Sequence, residues 1–250
     1  MFIDTHCHLT DEYDGGADAV IVRANAAGVR AIICATADPH DIVSALNIAQ
    51  NHNNIFVTTG IHPDYINENP DEYLTDEVLK NPRVIGVGEI GLDYHYNPQT
   101  RVQQIELFEH QLEIAYRHDL PVAIHTRDAE GDTAAILTDK YCGVMHCFTS
   151  SWELAKTMLD RGFYFSASGI LTFKNSESIR ETFSKIPVDR IVIETDAPYC
   201  APVPYRGKTC EPAMVVETAK VLAQIKNLDL SDLENILLEN TKKLYPKMKL

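Results

Sequence analysis

Short β-branched runs alternate with longer helical patterns along the whole 250-residue chain, and this alternation constrains the fold more than any other feature. Strict alternation of strands and helices requires parallel strands joined by right-handed crossovers. The predicted strands cover residues 2–4, 30–35, 55–59, 84–88, 121–125, 143–146, 163–166 and 190–194.

The intervening segments carry helix signals, either as apolar stripes or as end signals. The clearest stripe has steps of three and four residues and runs through Val102, Ile105, Phe108, Leu112 and Ala115. Gly28 stands where a helix begun near Ala17 would close, and Asp38-Pro39 and Pro212 mark helix starts. Serine-to-glutamate spacings typical of capping boxes occur at Ser150 with Glu153 and at Ser231 with Glu234, the latter opening an extra helix over 231–240.

Eight strand and helix units in about 250 residues predict closure into a TIM (β/α)8 barrel, with residues 1–250 as one domain. The alternative is an open doubly wound sheet, which usually has fewer strands and a glycine-rich first turn. Here the first strand ends in His6-Cys7-His8, without a glycine. The barrel is therefore the favoured fold.

Charge and hydropathy limit the function classes. Acidic residues outnumber basic ones by 36 to 22, which gives a formal net charge of −14 and excludes a basic footprint for coating long duplex nucleic acid. No signal-peptide pattern or long apolar run is present. We expect a soluble cytoplasmic protein with six reduced cysteines, no membrane contact and no obligate protein partner.

Polar side chains cluster at the predicted strand ends, which in a barrel open on one face. A single histidine or carboxylate there is common, so the argument rests on their joint placement. His6 and His8 share the two-residue period that directs both side chains to one side of an extended segment. The cluster comprises His6, His8, Glu89, His125, His146 and Asp196, with His62 close by.

Burying this cluster without a cation would be costly, because it contains no lysine. Imidazole and carboxylate ligands suit zinc, manganese, iron or nickel better than calcium, and leave room for magnesium. Six side chains are too many for one catalytic tetrahedral ion, so two divalent metal ions fit better. One would be held by His6, His8 and Asp196 and the other by His125 and His146, with Glu89 as the bridge.

Five segments in order along the chain resemble the signature segments of the TatD family of metal-dependent deoxyribonucleases. They are IDTHCHL at 3–9, GEIGLDY at 88–94, PVAIHTRDA at 121–129, HCF at 146–148 and ETDAPY at 194–199. The resemblance implies an amidohydrolase-like TIM barrel with a divalent-metal site and phosphodiesterase activity on DNA. The family's metal ligands, carried over by position, are His6, His8, Glu89, His125, His146 and Asp196.

The expected reaction is hydrolysis of DNA phosphodiester bonds by a metal-activated water, on DNA ends or short oligonucleotides and exonucleolytic on single strands. Asp196 would accept the proton of the water and Glu89 would hold both ions, so both are predicted to be catalytic. His62, Arg127 and Arg206 are candidates for holding phosphate, and Tyr94 is a candidate for stacking on a base. Cys7 and Cys147 are expected to point away from the metals.

Two alternative classes of function remain open. The first is a hydrolase with another substrate, either an amidohydrolase-type enzyme or an aminoacyl-tRNA ester hydrolase. Amidohydrolases with two metals commonly bridge them by a carboxylated lysine after strand four, where this chain has Glu89. The other alternative is a metal-binding scaffold without turnover.

Overall fold

The computed structural model describes residues 1–10 and 13–250. Its single sheet has eight parallel strands, each paired with the next in chain order. The strands are β1 Phe2–Cys7, β2 Val29–Thr36, β3 Ile55–Thr59, β4 Val84–Asp93, β5 Val122–Arg127, β6 Gly143–Met145, β7 Tyr164–Ala167 and β8 Ile191–Ile193.

The first and last strands are joined by the segment that follows β8. Cys7 forms a parallel bridge with Ala197, whose carbonyl oxygen accepts a hydrogen bond from the His8 amide at 2.7 Å. The Asp196 amide in turn donates to the His6 carbonyl oxygen at 2.9 Å. These contacts bring the two edges of the sheet together, and the predicted (β/α)8 barrel is confirmed.

Helices alternate with the strands and cover the outside of the barrel. On the helix Arg101–Arg117, Phe108, Leu112 and Ala115 are buried as their spacing predicts, whereas Val102 at the start of the stripe is exposed. Among the described residues, no helix combines the length and apolar character needed to cross a membrane. The helices are α1 Gly16–Ala26, α2 Ile42–Asn51, α3 Pro70–Tyr73, α4 Asp76–Leu79, α5 Arg101–Arg117, α6 Glu130–Ile136, α7 Trp152–Asp160, α8 Glu177–Lys185, α9 Val215–Lys226 and α10 Leu230–Leu244.

Two of the predicted helix ends are confirmed and two are wrong. Gly28 has a φ of 88° just beyond the end of α1, and the Asp38 carboxylate accepts a hydrogen bond from the His40 amide. The cap of α7 is Ser151, not Ser150, because the extended backbone at Ser151 lets its hydroxyl accept from the Leu154 amide. Helix α10 begins at Leu230, so Ser231 lies inside its first turn and does not cap it.

The chain segment at the end of α10 closes the amino-terminal end of the barrel. Leu244, Tyr245 and Met248 pack against apolar side chains that come from all eight strands. Tyr245 is fully buried there. The strand residues of this layer are Ile3, Ala31, Ile33, Phe56, Ile85, Ala123, Val144, Tyr164 and Val192.

Candidate metal centre

Two histidines at the end of β1 lie at the carboxyl-terminal mouth of the barrel. They are two residues apart, so ordinary strand alternation directs both side chains to the same side. Cys7 between them is buried, with its thiol 3.8 Å from the Ile33 carbonyl oxygen. The strand is bulged just before this point, because three residue steps along β1, from Asp4 to Cys7, are matched by only two along β2.

Strand β4 is bulged at the position of the predicted bridging carboxylate. Three steps from Val87 to Ile90 are matched by two along β5. Glu89 lies within this bulge and is buried. A glycine must precede it, because a Cβ atom at Gly88 would lie 2.6 Å from the Ala123 Cβ atom. The sequence thus permits the close approach of strands that places the Glu89 carboxylate at the centre of the mouth.

The two carboxylate oxygens of Glu89 face two different pairs of histidines. Its Oε1 atom is 2.8 Å from His125 Nδ1 and 3.0 Å from His146 Nε2. Its Oε2 atom is 3.4 Å from His6 Nε2 and 3.8 Å from His8 Nε2. The rings of His6 and His146 stack with centroids 3.9 Å apart, which joins the two halves of the cluster.

Asp196 completes the half that contains His6 and His8. Its Oδ1 atom is 3.6 Å from His8 Nε2 and 3.9 Å from His6 Nε2. The Nε2 atom of His6 is buried and has no hydrogen-bond partner among the described residues. A buried imidazole nitrogen that faces carboxylates in this way has the chemistry of a metal ligand. The structure thus brings all six predicted residues together, and their side chains fit divalent cations.

The remaining ring nitrogens of three histidines have defined acceptors. Such partners fix the tautomer and the orientation of a metal-ligating imidazole. Asp93 and Glu194 are functional candidates that the sequence interpretation did not assign, although both lie in the signature segments. The contacts are His8 Nδ1 to the Ala35 carbonyl oxygen at 3.0 Å, His125 Nε2 to Asp93 Oδ2 at 3.1 Å, and His146 Nδ1 to Glu194 Oε1 at 3.0 Å.

The carboxylates and imidazoles of this buried cluster shift one another's pKa values. Burial opposes ionisation of Glu89, but His146 and His125 hold the pKa of its carboxyl well below the usual range. Burial likewise opposes the charged form of His125, yet its hydrogen bonds with Asp93 and Glu89 raise its pKa to about 9. A bound cation would compete with protonation of these imidazoles, because metal ligands must be deprotonated.

An open cavity of about 720 Å³ covers the cluster. Among the described lining residues, Arg127 is the one permanently cationic side chain, and none is a lysine. Such a surface repels a polyanion unless cations are bound. The carboxylates that line the cavity are those of Asp38, Asp41, Asp64, Glu89, Asp93 and Asp196.

The structure brings two of the four predicted substrate residues to the cavity. His62 lies with its Nε2 atom 3.8 Å from Glu89 Oε1, and Arg127 lines the wall. Tyr94 does not line the cavity, and its hydroxyl group donates to Asp132 Oδ2 at 2.7 Å. Arg206 is also outside the lining, and its guanidinium group stacks 3.7 Å from the Phe173 ring centroid.

Two exposed tyrosines that the sequence interpretation missed stand at the cavity rim. Tyr96 is 63% exposed and carries the Arg127 guanidinium group over its ring at 4.8 Å. Tyr199 is also 63% exposed and lies edge-on to the His8 ring. Both rings line the cavity, so the tyrosine after β4 that lies at the cavity is Tyr96 and not Tyr94. An aromatic pattern after strand four was visible in the sequence, but not which of its rings faces the mouth.

The prediction that the Cys147 side chain points away from the metal cluster is wrong. Its position was predicted from strand alternation, but β6 ends at Met145 and Cys147 has a left-handed backbone with a φ of 41°. Its side chain therefore lines the cavity beside Cys200. All six cysteines are free thiols in the structure, as expected.

The fold and the site together define a class of protein. Imidazoles and carboxylates converge at the carboxyl ends of the strands of a (β/α)8 barrel, which is where barrel enzymes carry their active sites. The class is a barrel protein with a candidate divalent-metal centre at the mouth where barrel enzymes carry their chemistry.

Comparisons with known proteins place the chain within this class. The family model described as "TatD related DNase" matches residues 3–246. The metal-dependent hydrolase YcfH of Escherichia coli strain K12 is 37% identical over 98% of this chain and 96% of its own length. YabD of Bacillus subtilis strain 168 is 36% identical over 98% of this chain and 99% of its own length. The crystal structure of YjjV, a TatD homologue from E. coli, has a TM-score of 0.89 with 30% identity and covers 98% of both chains. The chain belongs to the TatD family of metal-dependent hydrolases.

Proposed function

We propose that this chain is a single-domain deoxyribonuclease that hydrolyses phosphodiester bonds at exposed single-stranded DNA ends, with two divalent metal ions per subunit. The observation that carries the proposal is that the two carboxylate oxygens of Glu89 face two separate histidine pairs. Carboxylate-bridged pairs of cations suit the cleavage of phosphodiesters. The family description as a DNase supports DNA as the substrate.

Each residue has a defined part in this proposal. His6, His8 and Asp196 would hold one ion, His125 and His146 would hold the other, and Glu89 would contribute to both. When bound, the ions act as Lewis acids that polarise phosphoryl oxygens and lower the pKa of water.

Asp196 would be placed to accept the proton of the attacking water, because its side chain lines the cavity beside His6 and His8. Asp93 and Glu194 keep the rings of His125 and His146 in place through the hydrogen bonds described above.

The charge of the cavity explains how an acidic protein can act on a polyanion. Among the described lining residues, six carboxylates stand against the single arginine, so affinity for phosphate depends on the bound cations. Arg127 and His62 would contact phosphate next to them, because a guanidinium fork pairs with phosphate oxygens. Tyr96 and Tyr199 can stack on the bases of a single strand at the rim. Binding of DNA should therefore be weak without metal.

A digestion assay tests this function. Purified protein and 5′- or 3′-labelled single-stranded DNA are incubated with Mg²⁺, Mn²⁺, Zn²⁺, Ni²⁺ or Fe²⁺, with and without EDTA. We expect progressive shortening from an end in at least one metal and none in EDTA. His125→Ala should lose most of the activity, whereas His110→Ala, which removes a surface histidine of α5, should retain it.

Parallel substrates separate the alternatives. A cyclic amide and an aminoacyl-tRNA ester are assayed with the same metals. Cleavage of either at a higher kcat/KM than DNA would replace the proposed substrate, and DNA hydrolysis that survives in EDTA would overturn the metal mechanism. Stoichiometric metal binding with no turnover of any substrate would favour a scaffold. The absence of lysine from the described cavity lining speaks against a carboxylated-lysine bridge.

A further inference from the structure

Two cysteines on the wall of the cavity lie next to the proposed metal centre. Cys147 follows β6 and Cys200 lies in the loop after β8. Their two sulphur atoms and a carboxylate oxygen of Asp196 all lie within 4.8 Å of one another. Both side chains are half-buried and line the cavity, so a solute can reach them.

Asp196 presents its two oxygens to different neighbours. Its Oδ1 atom faces His6 and His8, as described above, and its Oδ2 atom lies 3.7 Å from the Cys200 thiol. A carboxylate arranged in this way can serve two cations, one on each oxygen. The side that faces the cysteines offers sulphur ligands, which soft metals prefer, while the other side offers imidazoles.

Buried neighbours from the end of β7 hold both cysteines in position. The Cys147 thiol donates to the buried Ser168 hydroxyl oxygen at 3.1 Å. Gly169 packs directly against the Cys200 carbonyl oxygen, so closely that any Cβ atom there would collide with it. The cysteine pair is therefore a defined feature of the cavity wall.

We propose that Cys147, Cys200 and the Oδ2 atom of Asp196 form a third cation site, for a thiophilic divalent ion such as Zn²⁺ or Cd²⁺. Binding releases the two thiol protons to solvent and forms two metal–sulphur bonds and one metal–oxygen bond. Three protein ligands and an open position toward the cavity match the usual coordination of zinc outside closed structural sites. The site does not depend on the proposed hydrolysis of DNA.

Cadmium titration tests the site, because thiolate-to-cadmium charge transfer absorbs in the ultraviolet and imidazole or carboxylate ligands give no such band. The reduced full-length protein is titrated with Cd²⁺, and at saturation the band should have the intensity of one two-thiolate site per chain. Cys147→Ser and Cys200→Ser should each raise the apparent Kd for this band by more than about a hundredfold, since changes to residues that only hydrogen-bond to a metal ligand already cost about 10- to 100-fold. Zn²⁺ should displace Cd²⁺, and Mn²⁺ should not.

Two control variants separate the site from the rest of the chain. Cys142 is exposed and directly precedes β6, so Cys142→Ser should keep the band unchanged. His125→Ala should also keep it even if nuclease activity is lost, which distinguishes this site from the proposed function.

Absence of the band in the reduced wild-type protein would overturn the proposal. So would its persistence in the Cys147→Ser/Cys200→Ser double variant. The loss of two titratable thiols without bound metal would indicate a disulfide instead of a cation site. Circular dichroism checks that each variant folds, and the two single substitutions provide independent tests.

Discussion

The two ends of the barrel are built for different tasks. At the amino-terminal end, Leu244, Tyr245 and Met248 close the interior against a layer of apolar strand residues. At the carboxyl-terminal end, imidazoles and carboxylates line an open cavity. Burial of apolar surface at one end stabilises the fold, while the other end carries buried charges that require compensation. Substitutions at the two ends should therefore affect different properties.

The largest effect is expected from Glu89→Gln at the open end. An amide keeps the shape of the side chain but loses the charge and one anionic oxygen that face the two histidine pairs. We expect nuclease activity to fall by about a thousandfold, or roughly 4 kcal/mol of transition-state stabilisation. Steady-state digestion of labelled DNA measures this loss.

Glu113→Gln is the matched control for that substitution, because Glu113 is an exposed glutamate paired with Lys140 on the outside of the barrel. Its activity should stay at the wild-type level. A Glu89→Gln enzyme with more than a tenth of wild-type activity would contradict a shared carboxylate at the centre of the site.

At the closed end, Tyr245→Ala should reduce stability without changing the chemistry. Removal of a fully buried aromatic ring leaves a cavity between the strand residues and costs about 3 to 5 kcal/mol of unfolding free energy. Urea unfolding measures the loss, and kcat per folded molecule should remain unchanged. Tyr116→Ala, at an exposed tyrosine of α5, should cost less than about 1 kcal/mol. A fall in kcat for Tyr245→Ala would mean that the two ends are coupled.

A smaller effect is expected from Asp93→Asn, because Asp93 contacts the His125 ring and is not itself a proposed metal ligand. The Oδ1 position can still accept hydrogen bonds from the His95 and Tyr96 amides, but the amide group cannot fix the His125 ring as the carboxylate does. We expect metal affinity to fall by about 10- to 100-fold. Isothermal titration with Zn²⁺ or Mn²⁺ measures it, with the surface substitution Asp160→Asn as the control. Unchanged affinity would remove Asp93 from the site.

The smallest effect is expected from Tyr245→Phe. The Tyr245 hydroxyl group is buried and has no hydrogen-bond partner among the described residues, and burial raises its pKa far above the usual range. Phenylalanine keeps the ring and removes the unpaired oxygen, so stability should be unchanged or rise by up to about 1 to 2 kcal/mol. Thermal and urea unfolding check this. A destabilisation above about 1 kcal/mol would show that the hydroxyl group makes a stabilising contact.

The sequence predicted the barrel and the six clustered residues because both depend on local signals. Strand ends in a parallel barrel share one face, so histidines and carboxylates that follow strands can be placed together without coordinates. The bulges at His6 and Glu89 could not be predicted, because they arise from the register between neighbouring strands. They lengthen β1 and β4 beyond their predicted ends.

The residues around the cluster depend on distances and backbone angles that sequence does not carry. Asp93 and Glu194 were visible as strand-end carboxylates, but their pairing with His125 and His146 spans tens of residues. Tyr94 is hydrogen-bonded to Asp132, whereas Tyr96 is exposed and lines the cavity. The sequence does not distinguish these two positions. Cys147 faces the cavity because a left-handed backbone interrupts the alternation on which its predicted direction was based.

Electron paramagnetic resonance of the Mn²⁺-loaded protein tests most directly whether Glu89 joins two cations at the open end of the barrel. Two Mn²⁺ ions bridged at about 3.5 to 4 Å give an exchange-coupled spectrum. We predict two bound Mn²⁺ per chain with this coupled signal, and its loss in Glu89→Gln. A single bound ion, or two ions with uncoupled signals in the wild-type protein, would contradict the account.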